Sequence, residues 1–481
     1  VSSPRQVLRS FFYALVGGYA GRIASVILTV VLRSDEVLGR EAFEPVILPF
    51  VVFMMFASLS QVGLMQGLLH FRDDTQEFLE THFTLNCIVS VVVFFLTCLA
   101  GLGLWFLLPD SWGWGGPVIC LLGLFHFLRS LTQTSEALLR RDFQFGHLSL
   151  LHGFGTILAL GIAVAAAVHG LGRWSLILGG WSAYAASSVV YAVVFSTGVW
   201  LLRPVPLRFR LDPPWTRKLL DYGRWLWVGW VLQSFVWLYD KVILGVFVGD
   251  SELALYENAW WLMFLPTAVI SHIIFNYTSA LYSRYQDDEE KLSELFETMS
   301  SLVIRCSAPV AIGLVILAPQ LMQLLGESWS GSAQIMLYLL LFGLTRPLLD
   351  EGYGLLWARG DAVSATKIMA SQALIALPMV PLAVIFFGTQ GVAISIGLIA
   401  LWGLCFLWRR VNSHIIVHYR RMLLVPAVAC VAAAAAVKLA PPVPEISIPL
   451  FSTTYGTILV IAERRRLREI LTRIQQVRAD S

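Results

Sequence analysis

A chain of 481 residues that is 57% hydrophobic and 14% charged, with a mean hydropathy of +0.72, is too apolar for a soluble domain, which carries roughly 25% charged residues. Apolar runs long enough to cross a bilayer recur along its length, and hydrocarbon offers no partner to free backbone groups, so these runs must be helices. The net charge of +3 gives no ground for a nucleic-acid partner.

Fourteen spans are predicted, with twelve as the alternative count because the last two are short. In chain order the first six are 10–32, 45–69, 82–108, 117–139, 148–169 and 174–202. Span one carries Arg22 in "GGYAGRIAS", with small residues that let a helix or a lumen approach and no acid nearby. Span four carries Arg129 in "LFHFLRS", with Gln133 four residues on and Glu136 two turns away. Span seven, 219–248, reads "YGRWLWVGWVLQSFVWLYDKVILG". Trp230, Ser234, Trp237 and Lys241 share one helical face there, which suits sugar rings or equally a packing face, and Asp240 lies beside them. Spans 253–283, 299–325 and 331–357 follow; the last holds Arg346, with Asp350 one turn on and Glu351 next to it. Spans 363–387, 390–408, 421–439 and 446–462 close the series.

A charge at a helix centre costs about 2.5–3.5 kcal/mol on insertion scales. Arg224 and Arg305 near cytoplasmic ends, and Lys241 near an outer end, are expected to snorkel to the surface. Arg22, Arg129 and Arg346 sit near mid-depth, where each needs an acid, a wet cavity or a ligand. Glu136, Asp240, Asp350 and Glu351 either balance these cations or carry a coupling proton.

The loops divide by charge. One set is rich in Lys and Arg from Arg5 to the terminal "ERRRLREILTRIQQVR"; the alternate set holds only Arg33, Arg40, Arg173 and Lys438. Positive loops stay in the cytoplasm, which places both termini inside. No connection is long enough for a sizeable soluble domain, and no cleavable signal peptide is expected.

A repeat underlies the order. "LFHFLRSL" at 124–131 aligns with "LFGLTRPL" at 341–348, and "VVLRSDEVLGREAF" at 30–43 lies over "VFVGDSELALYENA" at 246–259 at nearly the same shift. Two parallel six-span units follow, with 1–216 as the first lobe and 217–412 as the second. Residues 413–463 supply two additional helices, and 464–481 a basic cytoplasmic tail.

Enzyme signatures are missing from the chain. It has no phosphate-binding G-x-x-x-x-G-K-[ST], no H-E-x-x-H and no G-x-S-x-G setting, and its six cysteines form no metal spacing. No enzymatic activity, metal or cofactor is expected.

The stretches "EAFEPVILPFVVFMMFASLSQVGLMQGLLHFRD" at 41–73, "EALLRRDFQFGHLS" at 136–149, "YDKVILGVFVGDSELALYENAWWLMFLP" from 239 and "LAPQLMQLLGESWSGSAQIMLYLLLFGLTRPL" at 317–348 occur in family order. They resemble the polysaccharide repeat-unit flippases, the colanic-acid and lipopolysaccharide exporter branch of the multidrug, oligosaccharidyl-lipid and polysaccharide exporter superfamily. One departure is local: where the family reads Gly-x-Tyr, this chain has "LALYENA", with Ala254 or Leu255 at the glycine. The resemblance implies an all-α, V-shaped two-lobed bundle in a bacterial inner membrane. It also implies a polyprenyl-diphosphate-linked oligosaccharide cargo, moved to the outer leaflet by alternating access, with ion-gradient coupling expected. Besides the lipid-linked cargo and the bilayer, a polysaccharide polymerase or chain-length machinery is the expected partner. Arg22, Arg129 and Arg346 would then replace hydration of the diphosphate with charge-assisted hydrogen bonds. A drug or small-solute antiporter on the same scaffold would favour buried acids, and a non-transporting envelope scaffold would need no buried charge.

The orientation is open to cysteine labelling in intact cells. Single cysteines placed in loops 109–116 and 249–252 should react with an impermeant maleimide, whereas those in 203–217 and 409–420 should not; reaction of the second pair overturns the topology.

Overall fold

The structure, a computed structural model, describes residues 23–71, 75–107, 114–142, 144–181, 188–205, 208–266, 278, 282, 285, 288–439 and 446–462. Among these every regular element is a helix. In the first part of the chain they are α1 (Ile23–Arg33), α2 (Gly39–Ser58), α3 (Leu64–Phe71), α4 (Gln76–Leu107), α5 (Gly115–Ser130), α6 (Gln133–Arg141), α7 (Phe145–Val168), α8 (Trp174–Gly179), α9 (Val189–Leu202) and α10 (Pro213–Phe247). There follow α11 (Asp250–Pro266), α12 (Glu289–Ile316), α13 (Ala318–Leu325), α14 (Ser332–Tyr338), α15 (Leu340–Ala358), α16 (Ala362–Val411), α17 (Tyr419–Lys438) and α18 (Ile446–Ala462).

Helices overlap every predicted span, but several spans are not single rods. Among the described residues six helices are long and apolar enough to cross a membrane alone, and up to eight if each of two bent pairs counts as one span. The 45–69 prediction divides into α2 and α3 at Gly63, whose φ is +75°. Any Cβ at Gly63 would lie 2.9 Å from the Cα of Gly223 on α10, so both glycines are needed where the two backbones cross. Span 174–202 divides into α8 and α9, and 299–325 divides at Leu317. Conversely, spans 363–387 and 390–408 run on as α16, bent at Gly388 with a φ of +59°. That glycine lies between the two predicted segments.

By contacts the chain forms two units: Val1–Ala254 with Leu325–Ser328, and Leu255–Leu324 with Trp329–Ser481. The repeat places α10 in the second lobe; in the structure it packs on α2, α3 and α4 of the first unit. Within that unit α4 runs along α5, and α9 along α7. Leu64, Leu68, Phe78, Leu138 and Leu219 join α3, α4, α6 and α10 in one apolar cluster. A second cluster, with Leu139, Leu148, Tyr191, Phe195 and Val199, joins α6, α7 and α9.

In the second unit α15 packs between α12 and α16. Asn258 of α11 donates through Nδ2 to Ser332 Oγ at 3.2 Å, and Ser332 Oγ donates to the Leu255 carbonyl at 2.9 Å, which pins α14 to α11. The additional C-terminal helices dock on α12: α17 packs along it, and Tyr455 of α18 donates to the Arg305 carbonyl at 2.9 Å.

α16 begins at a charged cap. Asp361 accepts from the Ser364 amide at 3.3 Å, from Arg410 Nε at 2.7 Å and from His414 Nε2 at 3.1 Å. Burial pushes this carboxyl up, but the hydrogen bonds from Ser364, Arg410 and His414 outweigh it and hold the group at about 2. Its folded value is therefore depressed, so its stabilisation is complete above the ordinary value of 3.8 and fades as pH falls through about 2. Asp361→Ala should lower the unfolding free energy at pH 7 by about 1–2 kcal/mol, the usual loss for an N-cap. Thermal unfolding measured at pH 7 and again near pH 2 checks this; the variant and the native protein should differ at the first pH and converge at the second.

Candidate functional site

Arg129 ends α5 where the span is broken. α5 and α6 meet at a bend of 44° around Leu131 and Thr132. A break exposes carbonyls that lipid cannot satisfy. Here side chains take them up: Ser130 Oγ donates to the Phe127 carbonyl at 2.6 Å, and Thr132 Oγ1 to that of Arg129 at 2.9 Å. Asn86 Nδ2, from α4, donates to the Ser130 carbonyl at 2.5 Å. His82 of α4 bonds Thr134 at 3.0 Å through Nδ1, fixing the start of α6 to the same helix. The sequence "SLTQTS" therefore supplies hydroxyls at the positions where the backbone needs them.

The half-buried Arg129 side chain turns toward α9. Its Cζ lies 5.6 Å from the Tyr191 ring centroid and 5.4 Å from that of Phe195. These residues are one turn apart on α9, and their rings stack at 5.4 Å with only 8° between planes. Among the described residues Arg129 makes no ion pair; the aromatic faces hold it through their negative quadrupole. Glu136, its nearest acid in sequence, is engaged elsewhere. It is buried and accepts from Arg140 Nη2 at 2.7 Å and Nε at 3.2 Å. The i,i+4 geometry of α6 thus neutralises Glu136 internally and leaves the Arg129 guanidinium donors unspent.

Two histidines that sequence reasoning passed over border this arginine. His126, one turn before it on α5, bonds Ser60 Oγ at 3.0 Å through Nε2. His152 of α7 bonds the Tyr191 hydroxyl through Nδ1, and its ring lies 4.3 Å from Phe195. Both stand in apolar runs, and the only sequence signal was a polar ring on an otherwise lipid-like helix. Tyr191 gave no signal at all.

The second arginine of the repeat is treated differently. Arg346 is buried on α15 and pairs through Nη2 with Asp350 Oδ1 at 2.6 Å, the pair its spacing predicted. Glu351 is 1% exposed; the Tyr282 hydroxyl donates to its Oε1, and Thr278 is a further hydrogen-bond partner. Asp240 and Lys241 are each 1% exposed on α10, so Lys241 does not snorkel outward; its Nζ donates to the Trp237 carbonyl at 3.3 Å. Arg305 is likewise buried, donating to the Ser301 carbonyl at 2.8 Å, because α12 extends ten residues further toward the N-terminus than the predicted span. Arg33, assigned to an outer loop, is 1% exposed and lies 5.5 Å from the Phe43 ring. Arg224 behaves as expected, exposed beside Asp221. Trp230 is exposed and Trp237 half-buried, so the predicted aromatic face is graded in burial along α10. Arg22 lies outside the described residues. Among the described residues no cluster of three His, Cys, Asp or Glu side chains is arranged to hold a metal ion.

Comparison with known proteins fits this picture. The model of a family described as "Polysaccharide biosynthesis protein" matches residues 37–334, more than half the chain. The chain belongs to that family. It is 22% identical over 380 residues to the lipopolysaccharide biosynthesis protein WzxC of Escherichia coli (strain K12), covering 78% of this chain and 74% of that protein. It is 20% identical over 307 residues to the teichuronic acid biosynthesis protein TuaB of Bacillus subtilis (strain 168), covering 63% and 61%. Among solved structures, the lipid II flippase MurJ in an inward closed conformation superposes with a TM-score of 0.71 at 11% identity, over 94% of this chain and 99% of that one. An inward-facing multidrug resistance MATE family transporter of the MOP superfamily gives 0.57 at 15% identity, over 86% and 96%. The fold of this polysaccharide biosynthesis family member is thus the one shared by MurJ and MATE transporters, a multi-pass helical membrane fold.

The pairing of Glu136 separates two arginines only eleven residues apart. Arg140→Ala should strand a buried carboxylate and reduce folded protein, a loss of about 1–3 kcal/mol, whereas Arg129→Ala should leave the yield near that of the native chain. Size-exclusion recovery after a heat challenge, compared for both variants, checks the order; equal losses would mean that Arg129 is also a structural partner.

Proposed function

We propose that this protein is a flippase that carries a polyprenyl-diphosphate-linked oligosaccharide from the cytoplasmic to the outer leaflet of a bacterial inner membrane, for cell-surface polysaccharide synthesis. Both termini are cytoplasmic in this reading. One observation carries it: Arg129, inside a span, is held on two aromatic faces with no acid paired to it among the described residues. A diphosphate entering hydrocarbon must exchange hydration for charge-assisted donors, and a guanidinium with free donors supplies two in one plane. The names of the relatives, in lipopolysaccharide and teichuronic acid biosynthesis and lipid II flipping, support an anionic lipid-linked cargo.

Glu351 is the group best suited to carry a coupling proton. It is buried in α15, and among the described residues its hydrogen-bond partners are hydroxyls and not a cation. Glu136 and Asp350 are committed to Arg140 and Arg346 and serve as structural counter-charges in this scheme. A polymerase or chain-length partner would receive the flipped unit at the outer face. The protein acts as a transporter and not as an enzyme.

Proteoliposomes loaded with a fluorescent undecaprenyl-diphosphate glycan test the proposal, read as the fraction of probe accessible to an external quencher. Arg129→Ala should reduce the rate at least tenfold at unchanged protein content, and Arg129→Lys should recover part of it, because an ammonium lacks the planar two-donor edge. Glu351→Gln should remove any acceleration by an imposed proton gradient. A native rate for Arg129→Ala rejects the cargo role of this residue.

A further inference from the structure

Arg129 shares its aromatic pair with a second group able to carry positive charge. The His152 ring sits 4.3 Å from the Phe195 centroid and 5.9 Å from that of Tyr191, while the Arg129 Cζ sits at 5.4 and 5.6 Å from the same two rings. α5 and α7 each contribute one member of this cluster, and α9 contributes two. We propose that His152 is a proton-binding group of the first unit and that its charge decides whether the Arg129 guanidinium rests on Tyr191 and Phe195 or leaves them.

The charged and titratable neighbours of His152 can be named from each packed element. Arg129 comes from α5, Glu136 and Arg140 from α6, and Tyr191 from α9. Glu136 and Arg140 already neutralise each other at 2.7 Å, so Arg129 is the one cation of this group that no carboxylate holds. With His152 neutral, the two rings serve that single cation. A proton on His152 places two like charges on one aromatic pair, which disfavours both being there together. The bond to Tyr191 survives the change, because the hydroxyl can donate to an unprotonated Nδ1 and accept from a protonated one. The Tyr191 and Phe195 rings are fully buried and stay in place, so the half-buried Arg129, which makes no ion pair among the described residues, is the one that moves. Reciprocally, an anion bound to Arg129 offsets its charge and favours the proton on His152, as linkage requires. This second consequence rests on the reading of Arg129 as the cargo contact; the first does not.

Full-length protein with ring-labelled histidine, in nanodiscs of phosphatidylethanolamine and phosphatidylglycerol, allows a direct test by NMR between pH 3 and 9. The His152 resonance is assigned from its loss in His152→Gln. Its titration midpoint should rise by about one unit in Arg129→Gln, where the like charge is gone, and move little in Arg129→Lys, where a charge remains. The His82 resonance, buried against Thr134, reports that each variant keeps its fold. Absence of titration in the native protein, or one midpoint shared by the native protein and Arg129→Gln, overturns the proposal. Farnesyl diphosphate serves as the anionic probe in a second arm. It should bind about tenfold more tightly at pH 4 than at pH 8 in the native protein, with the pH dependence lost in His152→Gln. Coupled titration without probe binding at any pH would sustain this inference and reject the cargo role of Arg129; binding whose pH dependence persists in His152→Gln would reject the inference and keep that role.

Discussion

Charge inside hydrocarbon is the constraint on which this structure turns. Each cation at a helix centre costs about 2.5–3.5 kcal/mol, so each must find compensation close by. The protein uses two kinds. Arg346 has a carboxylate at 2.6 Å, and Glu136 has Arg140 at 2.7 Å. Among the described residues Arg129 has only π faces, worth roughly 0.5–2 kcal/mol. A carboxylate partner in low dielectric is hard to displace, because removing it strands a charge. A ring quadrupole is given up easily. The weaker compensation is why Arg129 is the arginine proposed to change partners.

The broken helices are a second consequence of the same constraint. A continuous helix satisfies its own backbone but aims its side chains at fixed intervals along one axis. The bend at Leu131 lets α5 direct Arg129 at α9 while α6 turns Glu136 toward Arg140. Such a break is stable in lipid only because Ser130, Thr132 and Asn86 bind the released carbonyls. Their short hydroxyl and amide side chains are therefore part of the positioning of Arg129, though none touches its guanidinium.

Much of this was legible in the sequence. The all-helical, apolar character and the Arg346–Asp350 pair follow from apolar runs and from four-residue spacing. The partner of Glu136 was not read, because Arg140 was counted as a loop charge although it lies one helical turn away. The aromatic seat was invisible, since Tyr191 and Phe195 are some sixty residues from Arg129 and look like any lipid-facing pair. Burial of Lys241, Arg305 and Arg33 was missed for a related reason. Snorkelling depends on what packs around a helix end, and α10, α12 and α1 are covered there by neighbours that a one-dimensional reading does not place.

Transport adds a demand that stability alone does not. A site that only stabilised its cargo would hold it, and one that only stabilised the empty protein would refuse it; the cargo must be bound strongly enough to enter and weakly enough to leave. For a diphosphate this is severe, because charge-assisted bonds are about twice as strong as neutral ones. An arginine resting on Tyr191 and Phe195 meets it by having somewhere to return. In the proposed cycle the guanidinium is not left bare in the membrane when the anion departs but goes back to the rings, so release would be opposed by the difference between anion and aromatic contact and not by the whole cost of an uncompensated charge. The same rings are packed by His152, which is why that residue is proposed as the group whose proton changes the difference.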